Sequence, residues 1–169
     1  MLLKEKIMLR VYPLKDTDRQ KFETLFKDYY AELDCLDDTA HLVDEYIIPD
    51  MLAGLLHIDL IEEDGECAGF IIYQIDDINN DWNLREGCGD IRELYISPSF
   101  RRKGLGRFLL YSAEMKLKEA GAGNAYCLPY EKSVAFFTAC GYKNTDEYNE
   151  ELDCFVFKKD GLNKGCQGK

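Results

Sequence analysis

The sequence predicts a mixed α/β domain: one sheet with helices packed on its faces. Three observations lead there. Short apolar runs rich in Ile, Tyr, Phe and Val alternate with segments of helical period in the order β-α-α-β-β-β-α-β-α-β-β. Hairpin patterns lie on either side of one strand-helix-strand crossover, Asp90 to Leu128, which is expected to be right-handed. The 169 residues are 46% apolar and 31% charged, enough for one core and too few for two domains. A single domain is therefore expected over 1–159, with a flexible polar tail holding three glycines over 160–169.

The elements follow in chain order. Ile7 to Leu14 reads as a strand ended by Pro13. Thr17 or Asp16 is the expected cap of a helix reaching Leu33, with Phe22, Leu25, Phe26 and Tyr29 at helical spacing. A second helical stretch, Thr39 to Leu55, should break or kink at Pro49 and Gly54. Leu56 to Ile61 and Cys67 to Ile75 form a hairpin around Asp64-Gly65. Asp76 to Gly89 is a long polar loop, a length often tied to function. Asp90 to Ser97 is a strand stopped by Pro98. Gly104 to Ala120 is an amphipathic helix with Leu105, Phe108, Leu109, Ala113 and Leu117 on one face, ended by Gly121 and Gly123. A short strand (Asn124 to Leu128), a short helix (Glu131 to Cys140) and a hairpin (Tyr142 to Tyr148, Leu152 to Lys158) complete the chain.

Charge narrows the function. The net charge of −11 argues against nucleic acid or an anionic membrane as the main partner, since both need clustered positive surface. No apolar run reaches the roughly 20 residues of a membrane span. Met1 to Arg10 is charged throughout and has no apolar signal core, so a cytoplasmic location is expected. Seven cysteines with no CxxC pair read as free thiols, and neither histidine stands at ligand spacing from a cysteine, so no metal is expected. Asp28 to Leu84 contains no Lys or Arg and holds 16 of the 32 acidic residues, so the chain has an acidic half and a mildly basic one.

The segment that carries chemistry runs from Ile91 to Leu110. A strand leads into a basic loop, Arg101-Arg102-Lys103-Gly104-Leu105-Gly106-Arg107, which opens the amphipathic helix. A helix start leaves unpaired N–H groups and a partial positive charge. Glycines let a ligand approach those groups, and adjacent Arg and Lys add charge, which makes a pyrophosphate cradle. Neither GxxxxGK[ST] nor GxGxxG is present.

In these residues the sequence resembles the GNAT acetyltransferase superfamily. Arg101-x-x-Gly104-x-Gly106 is similar to that family's Arg/Gln-x-x-Gly-x-Gly/Ala signature, with Glu93-Leu94-Tyr95-Ile96-Ser97-Pro98 as the strand before it. Ser133-Val134-Ala135-Phe136-Phe137-Thr138-Ala139-Cys140-Gly141-Tyr142 is similar to a second family helix. The resemblance implies a six- to seven-stranded, mostly antiparallel sheet with helices on both faces. It also implies acetyl-CoA as co-substrate, an amine as acceptor and direct attack on the thioester. A bulged fourth strand would splay from the fifth. Backbone groups of Leu94, Tyr95 and Ile96 would bond the pantetheine arm, and the Arg101 to Arg107 loop would hold the pyrophosphate, its N–H groups coming from Arg102, Lys103, Gly104, Leu105, Gly106 and Arg107.

The family's usual catalytic tyrosine falls at Phe137 and its usual asparagine at Tyr130. Tyr130 is the nearest phenol to serve as acid, with Tyr142 and Cys140 behind it, or water in their place. Glu93 stands where some relatives place a base, though it also has Arg92 and Arg101 as ready partners; His41 and His57 are further candidates. Asp28, Glu32, Asp34, Asp37, Asp38, Asp76, Asp77 and Asp81 fall in elements that line the acceptor side of such proteins, which points to a small cationic amine. Two other readings stay open: a non-catalytic acyl-CoA-binding or interaction module, and a protein N-terminal or lysine acetyltransferase. Dimers are common in the family, so a homodimer fits the resemblance.

Overall fold

The computed structural model describes residues 7–35, 38–80 and 82–162. Its strands are β1 (Leu9–Pro13), β2 (His57–Glu63), β3 (Glu66–Ile75), β4 (Gly89–Ile96), β5 (Asn124–Cys127), β6 (Lys143–Asn149) and β7 (Cys154–Asp160). They form one sheet in the order β1-β2-β3-β4-β5-β7-β6, antiparallel throughout except for the β4–β5 pair. The expected architecture and element order are the observed ones. The chain stays ordered past residue 159: Asp160 ends β7, and Leu162 is buried, its N–H donating to the Gly123 carbonyl at 3.2 Å. Residues 163–169 of the expected tail lie outside the described residues.

Helices cover both faces. One face carries α1 (Arg19–Glu32), α2 (Thr39–Leu42) and α3 (Ile48–Leu52), with Phe22, Phe26, Phe70 and Tyr95 in their shared core. The other carries α4 (Leu105–Glu119) and α5 (Val134–Ala139), over Ile71, Ile91, Ala125 and Cys127. This division is the period-2 alternation of β3 and β4 read out as two cores.

Local chemistry departs from expectation at three places. Neither Thr17 nor Asp16 caps α1. A 3₁₀ turn over Asp16–Asp18 leads into the helix, and Asp18 instead pairs with Lys21 at 2.9 Å. Pro49 does not break the second helical stretch. It sits at the start of α3 directly after a π turn over Val43–Ile47, and the helical stretch runs on through it. Phe108 is 46% exposed rather than part of the buried face of α4. At about 100° per residue the buried stripe of Leu105, Leu109, Leu110, Ala113 and Leu117 centres near Ala113, and Phe108 lies about 140° round from it.

The β3–β4 register creates the site. Ile72 pairs with Glu93 and Tyr73 with Ile91, so Arg92 is an extra residue in β4. Close approach of the two strands depends on Gly69, where a Cβ would stand 2.2 Å from the Tyr95 carbonyl oxygen. On its other side β4 meets β5 at only three pairs: Gly89–Ala125, Asp90–Tyr126 and Ile91–Cys127. Beyond Ile91 the two strands separate.

A buried polar cluster closes the paired end. Asp76, expected to line a cleft, is sealed inside. Its carboxylate accepts the N–H groups of Leu84 and Arg85 (2.9 Å each), the Gln74 amide (2.9 Å) and the Tyr126 hydroxyl (2.6 Å), which holds the 76–88 loop in shape. Asp90 shares the Tyr126 hydroxyl. Its Oδ1 is buried and without a hydrogen-bond partner among the described residues. Burial, followed by the charge of Asp76, pushes the Asp90 carboxyl up to about 8, so it stays protonated at neutral pH. The folded protein therefore holds a proton that the unfolded chain releases above about pH 4. The stabilisation from that proton is complete below the unfolded value and is lost as pH rises through about 8. Asp90→Asn is expected to flatten the fall in stability between pH 5 and pH 8.5, read as urea midpoints. A variant with the wild-type slope would show that Asp90 is ionised in the fold.

Candidate active site

Strand alternation decides which backbone groups face the gap between β4 and β5. The Ser97 N–H donates to the Ala68 carbonyl of β3 at 2.8 Å. Two residues back, Tyr95 and then Glu93 turn their backbone groups the same way, and Leu94 and Ile96 turn theirs outward. Of the three residues expected to bond a pantetheine arm, Leu94 and Ile96 thus face the gap and Tyr95 does not. The Ile96 carbonyl already accepts Arg101 Nε at 2.7 Å.

Arg101 is committed on this side. Its Nη2 reaches both oxygens of Glu32 on α1, at 2.9 and 2.8 Å, and its guanidinium lies 5.5 Å from the centre of the Tyr95 ring. Tyr95 donates its hydroxyl to the same Glu32 at 3.0 Å. The signature arginine ties α1 to the end of β4, and its side chain is not offered to the start of α4.

That start is built by conformation. After a 3₁₀ turn over Pro98–Phe100, Arg102 and Gly104 take φ of +66° and +88° and turn the chain into α4. The Phe108 N–H is the first to find a helical acceptor, the Gly104 carbonyl at 3.1 Å. The N–H groups of Leu105, Gly106 and Arg107 precede it in the first turn and have none. A Cβ on Gly104 would meet nothing within 4 Å, so the ground in front of these groups is open. Gly106 serves packing, since its Cβ would sit 3.4 Å from the Phe136 ring. Lys103 pairs with Glu63 at 2.5 Å, Arg107 bonds the Cys140 thiol, and Arg102 is exposed. The positive character of this segment comes from the helix start and its flanking bases together.

Glu93 points to the α1 side of β4. Neither Arg92 nor Arg101 is its hydrogen-bond partner; Tyr29 of α1 donates to Glu93 Oε2. Arg92 Nη1 goes to Gln74 Oε1 at 3.1 Å. Burial raises the Glu93 carboxyl to about 6, against the lowering effects of the Tyr29 hydrogen bond and the Arg92 charge. Tyr130, 49% exposed, follows β5 and lies close enough to Tyr29 to raise its phenol, as does Tyr30. Glu93 is thus in hydrogen-bond contact with Tyr29, and Tyr130 acts on the same phenol electrostatically. The sequence marks Tyr29 only by its helical spacing with Phe22, Leu25 and Phe26, which carries no signal of the Glu93 contact.

The other candidates stand elsewhere. Phe137 is buried edge-on against Phe136 and Tyr142. Tyr142 donates to buried Glu114 at 3.0 Å, so it is held in the core, and Cys140 is buried beside Arg107. His41 packs on Tyr46, and His57 stacks on Tyr73. His57 borders a separate cleft of about 340 Å³ at the far end of α4, whose buried Asp59 is neutralised by Lys116 at 2.7 Å. Asp38 caps α2 through the His41 N–H, Asp77 holds Asn79, and Asp28 and Asp34 are exposed. Asp37 and Asp81 lie outside the described residues. No group of three or more metal-ligating side chains occurs among the described residues.

Gly104→Val puts a branched side chain on a left-handed residue and into the open ground before the N–H groups. It is expected to fold and to lose coenzyme A binding by at least about tenfold in calorimetry, roughly 1.4 kcal/mol. Unchanged affinity in a folded variant would remove the cradle from this loop.

The model of the acetyltransferase (GNAT) family matches residues 18–142. An uncharacterized N-acetyltransferase in the pepI 3' region of Lactobacillus delbrueckii subsp. lactis is 29% identical over 99 residues, 56% of this chain and 57% of that protein. The chain therefore aligns with little more than half the length of this curated relative. Among solved structures, the PaiA N-acetyltransferase from Thermoplasma acidophilum in complex with coenzyme A superposes with a TM-score of 0.68 at 16% identity, over 90% of this chain and 99% of that one. A GNAT family acetyltransferase from Brucella melitensis in complex with acetyl-CoA gives 0.66 at 15%, over 90% and 88%. At these identities the structures speak for the fold, and the family match covers most of the domain. The chain belongs to the acetyltransferase (GNAT) family.

Proposed function

We propose that the protein transfers an acetyl group from acetyl-CoA to a small cationic amine by direct attack on the thioester. The observation that carries this reading is the double use of one strand. Leu94 and Ile96 of β4 turn backbone groups into the gap beside β5, while Glu93, just before them in the strand, presents a carboxylate toward α1. The start of α4 supports the pyrophosphate, and the two unpaired strand residues support the pantetheine arm.

The chemistry needs a neutral amine. An ammonium has no lone pair, so one proton must leave the nitrogen for each acetyl group moved. Glu93, with its carboxyl at about 6, is ionised at neutral pH and takes that proton. The N–C bond forms, the C–S bond breaks, and the thiolate leaves. Tyr130 is the exposed phenol near Glu93's partner and returns a proton to the sulfur. A cysteine-like thiol has a pKa of about 8.5, so the thiolate is a fair leaving group and the demand on Tyr130 is modest.

The cationic acceptor rests on fewer acids than the sequence suggests. Asp76 is sealed, Glu32 is held by Arg101, and Asp38 is a cap. What supports it is Glu93 with its Tyr29 partner, the phenols of Tyr30 and Tyr130 that act on Tyr29, and the exposed Asp28 and Asp34.

The reading is tested by thiol release from acetyl-CoA across a panel of amines. Cationic amines are expected to turn over, with KM rising with salt because exposed charges are screened beyond about 10 Å at 0.1 M. A best substrate that is anionic, or a KM indifferent to salt, would overturn the acceptor class. No release with any amine would return the protein to a binding role. Tyr130→Phe is expected to lower kcat about tenfold with KM for acetyl-CoA unchanged. Wild-type turnover in that variant would leave Tyr130 as packing.

A further inference from the structure

We infer that Tyr29 is the positioning residue of Glu93: its hydroxyl fixes one carboxylate oxygen and holds the other toward the acceptor. This rests on the proposed role of Glu93 as proton acceptor. The Tyr29 ring is buried, and its neighbours hold it. Phe70 meets it edge-on at 5.9 Å between centroids, Tyr30 edge-on at 5.5 Å, and Tyr95 at a tilt at 5.5 Å. A hydroxyl on so constrained a ring has one place to point, and it points at Glu93 Oε2.

The backbone beneath is held too. One turn further along α1, Glu32 takes the Tyr95 hydroxyl at 3.0 Å and the Arg101 guanidinium at 2.8 and 2.9 Å. Residues 29 and 32 share a helix face, and 93 and 95 share a strand face, so two neighbouring pairs lock α1 to β4 in one register. Freedom of Glu93 to rotate away is removed from both sides.

The hydroxyl also sets the charge state. Burial and the Glu93 charge push the Tyr29 phenol well up, so it remains a donor at any working pH. Its bond favours ionised Glu93 against the cost of burial. The other charged groups that act on or with Glu93 are Arg92 and Asp90 on its own strand, while Tyr30 on α1 and Tyr130 beyond β5 act on Tyr29. Asp90 is protonated and Arg92 is bonded to Gln74, so Tyr29 is the directional donor among them. During transfer Oε2 keeps the Tyr29 proton as its hydrogen-bond donor, and Oε1 takes the proton from the attacking nitrogen.

The test is the pH profile of kcat/KM in Tyr29→Phe, which keeps the ring and deletes one oxygen. The acidic limb, near pH 6 in wild type, is expected to move up by about one unit. That shift means about a fivefold loss at pH 6 and little loss at pH 8.5. A loss of equal size at every pH, or an unmoved limb, would overturn the inference. A direct reading comes from carboxyl-carbon NMR of glutamate-labelled protein, with Glu93 assigned by its disappearance in Glu93→Gln. Its titration midpoint should rise in Tyr29→Phe, and an unchanged midpoint would count against the inference even if turnover fell. If Glu93→Gln keeps the acidic limb and full turnover, the base assignment fails, and this result is distinct from a failure of Tyr29 alone.

Discussion

A strand that loses its neighbour after three residues must satisfy its remaining backbone groups in some other way. β4 does so at Ile91, and most features of the site answer that single fact. The extra residue at Arg92 bends the strand away from β5 while keeping β3 paired on the other side. Glu93 and Tyr95 stay bonded to the sheet, and Leu94 and Ile96 are left facing open space. Arg101 takes one of those groups, the Ile96 carbonyl, and in doing so draws its guanidinium to Glu32. The α1 helix is thereby fixed at the edge of the gap.

Two carboxyl groups on this strand show how position sets chemistry. Asp90 lies on the paired stretch, where burial and the charge of Asp76 act against its ionisation and one oxygen is left without a donor; it stays neutral. Glu93 lies three residues on, past the bulge, with a phenol donating to it and Arg92 alongside; it ionises near pH 6. Burial opposes ionisation in both, and the neighbours decide the outcome. A residue moved from one environment to the other would change role without any change of side chain.

The fold was largely legible in the sequence because its signals are local. Asp64 and Gly65, with φ of +52° and +86°, make the hairpin turn that their types predict. Gly104 opens α4 and Gly121, at φ +104°, closes it. Errors came where long-range packing overrode a local rule. Pro49 is tolerated because a π turn precedes it, and Phe108 faces solvent because the buried stripe is set by where α4 meets the sheet. The site was half legible. The Arg101 to Arg107 loop has a motif, and Glu93 and Tyr130 are candidates through a resemblance, while Tyr29 carries no mark in the sequence beyond its helical spacing. The role proposed for it rests on a contact between residues 64 apart in the chain, for which helical spacing offers no mark. The same holds for Arg101, whose motif suggests phosphate and whose side chain holds a carboxylate, and for Asp76, which reads as a loop acid and is a buried acceptor of four donors.

The central claim is that the gap beside β4 and the first turn of α4 together hold the coenzyme, and amide hydrogen exchange reads it residue by residue. Saturating coenzyme A should slow exchange at Leu94 and Ile96 and at Leu105, Gly106 and Arg107, whose N–H groups lack partners. It should leave Glu93 and Tyr95, already bonded to β3, near their starting rates. Protection confined to other parts of the chain, or equal protection along the whole of β4, would contradict the account.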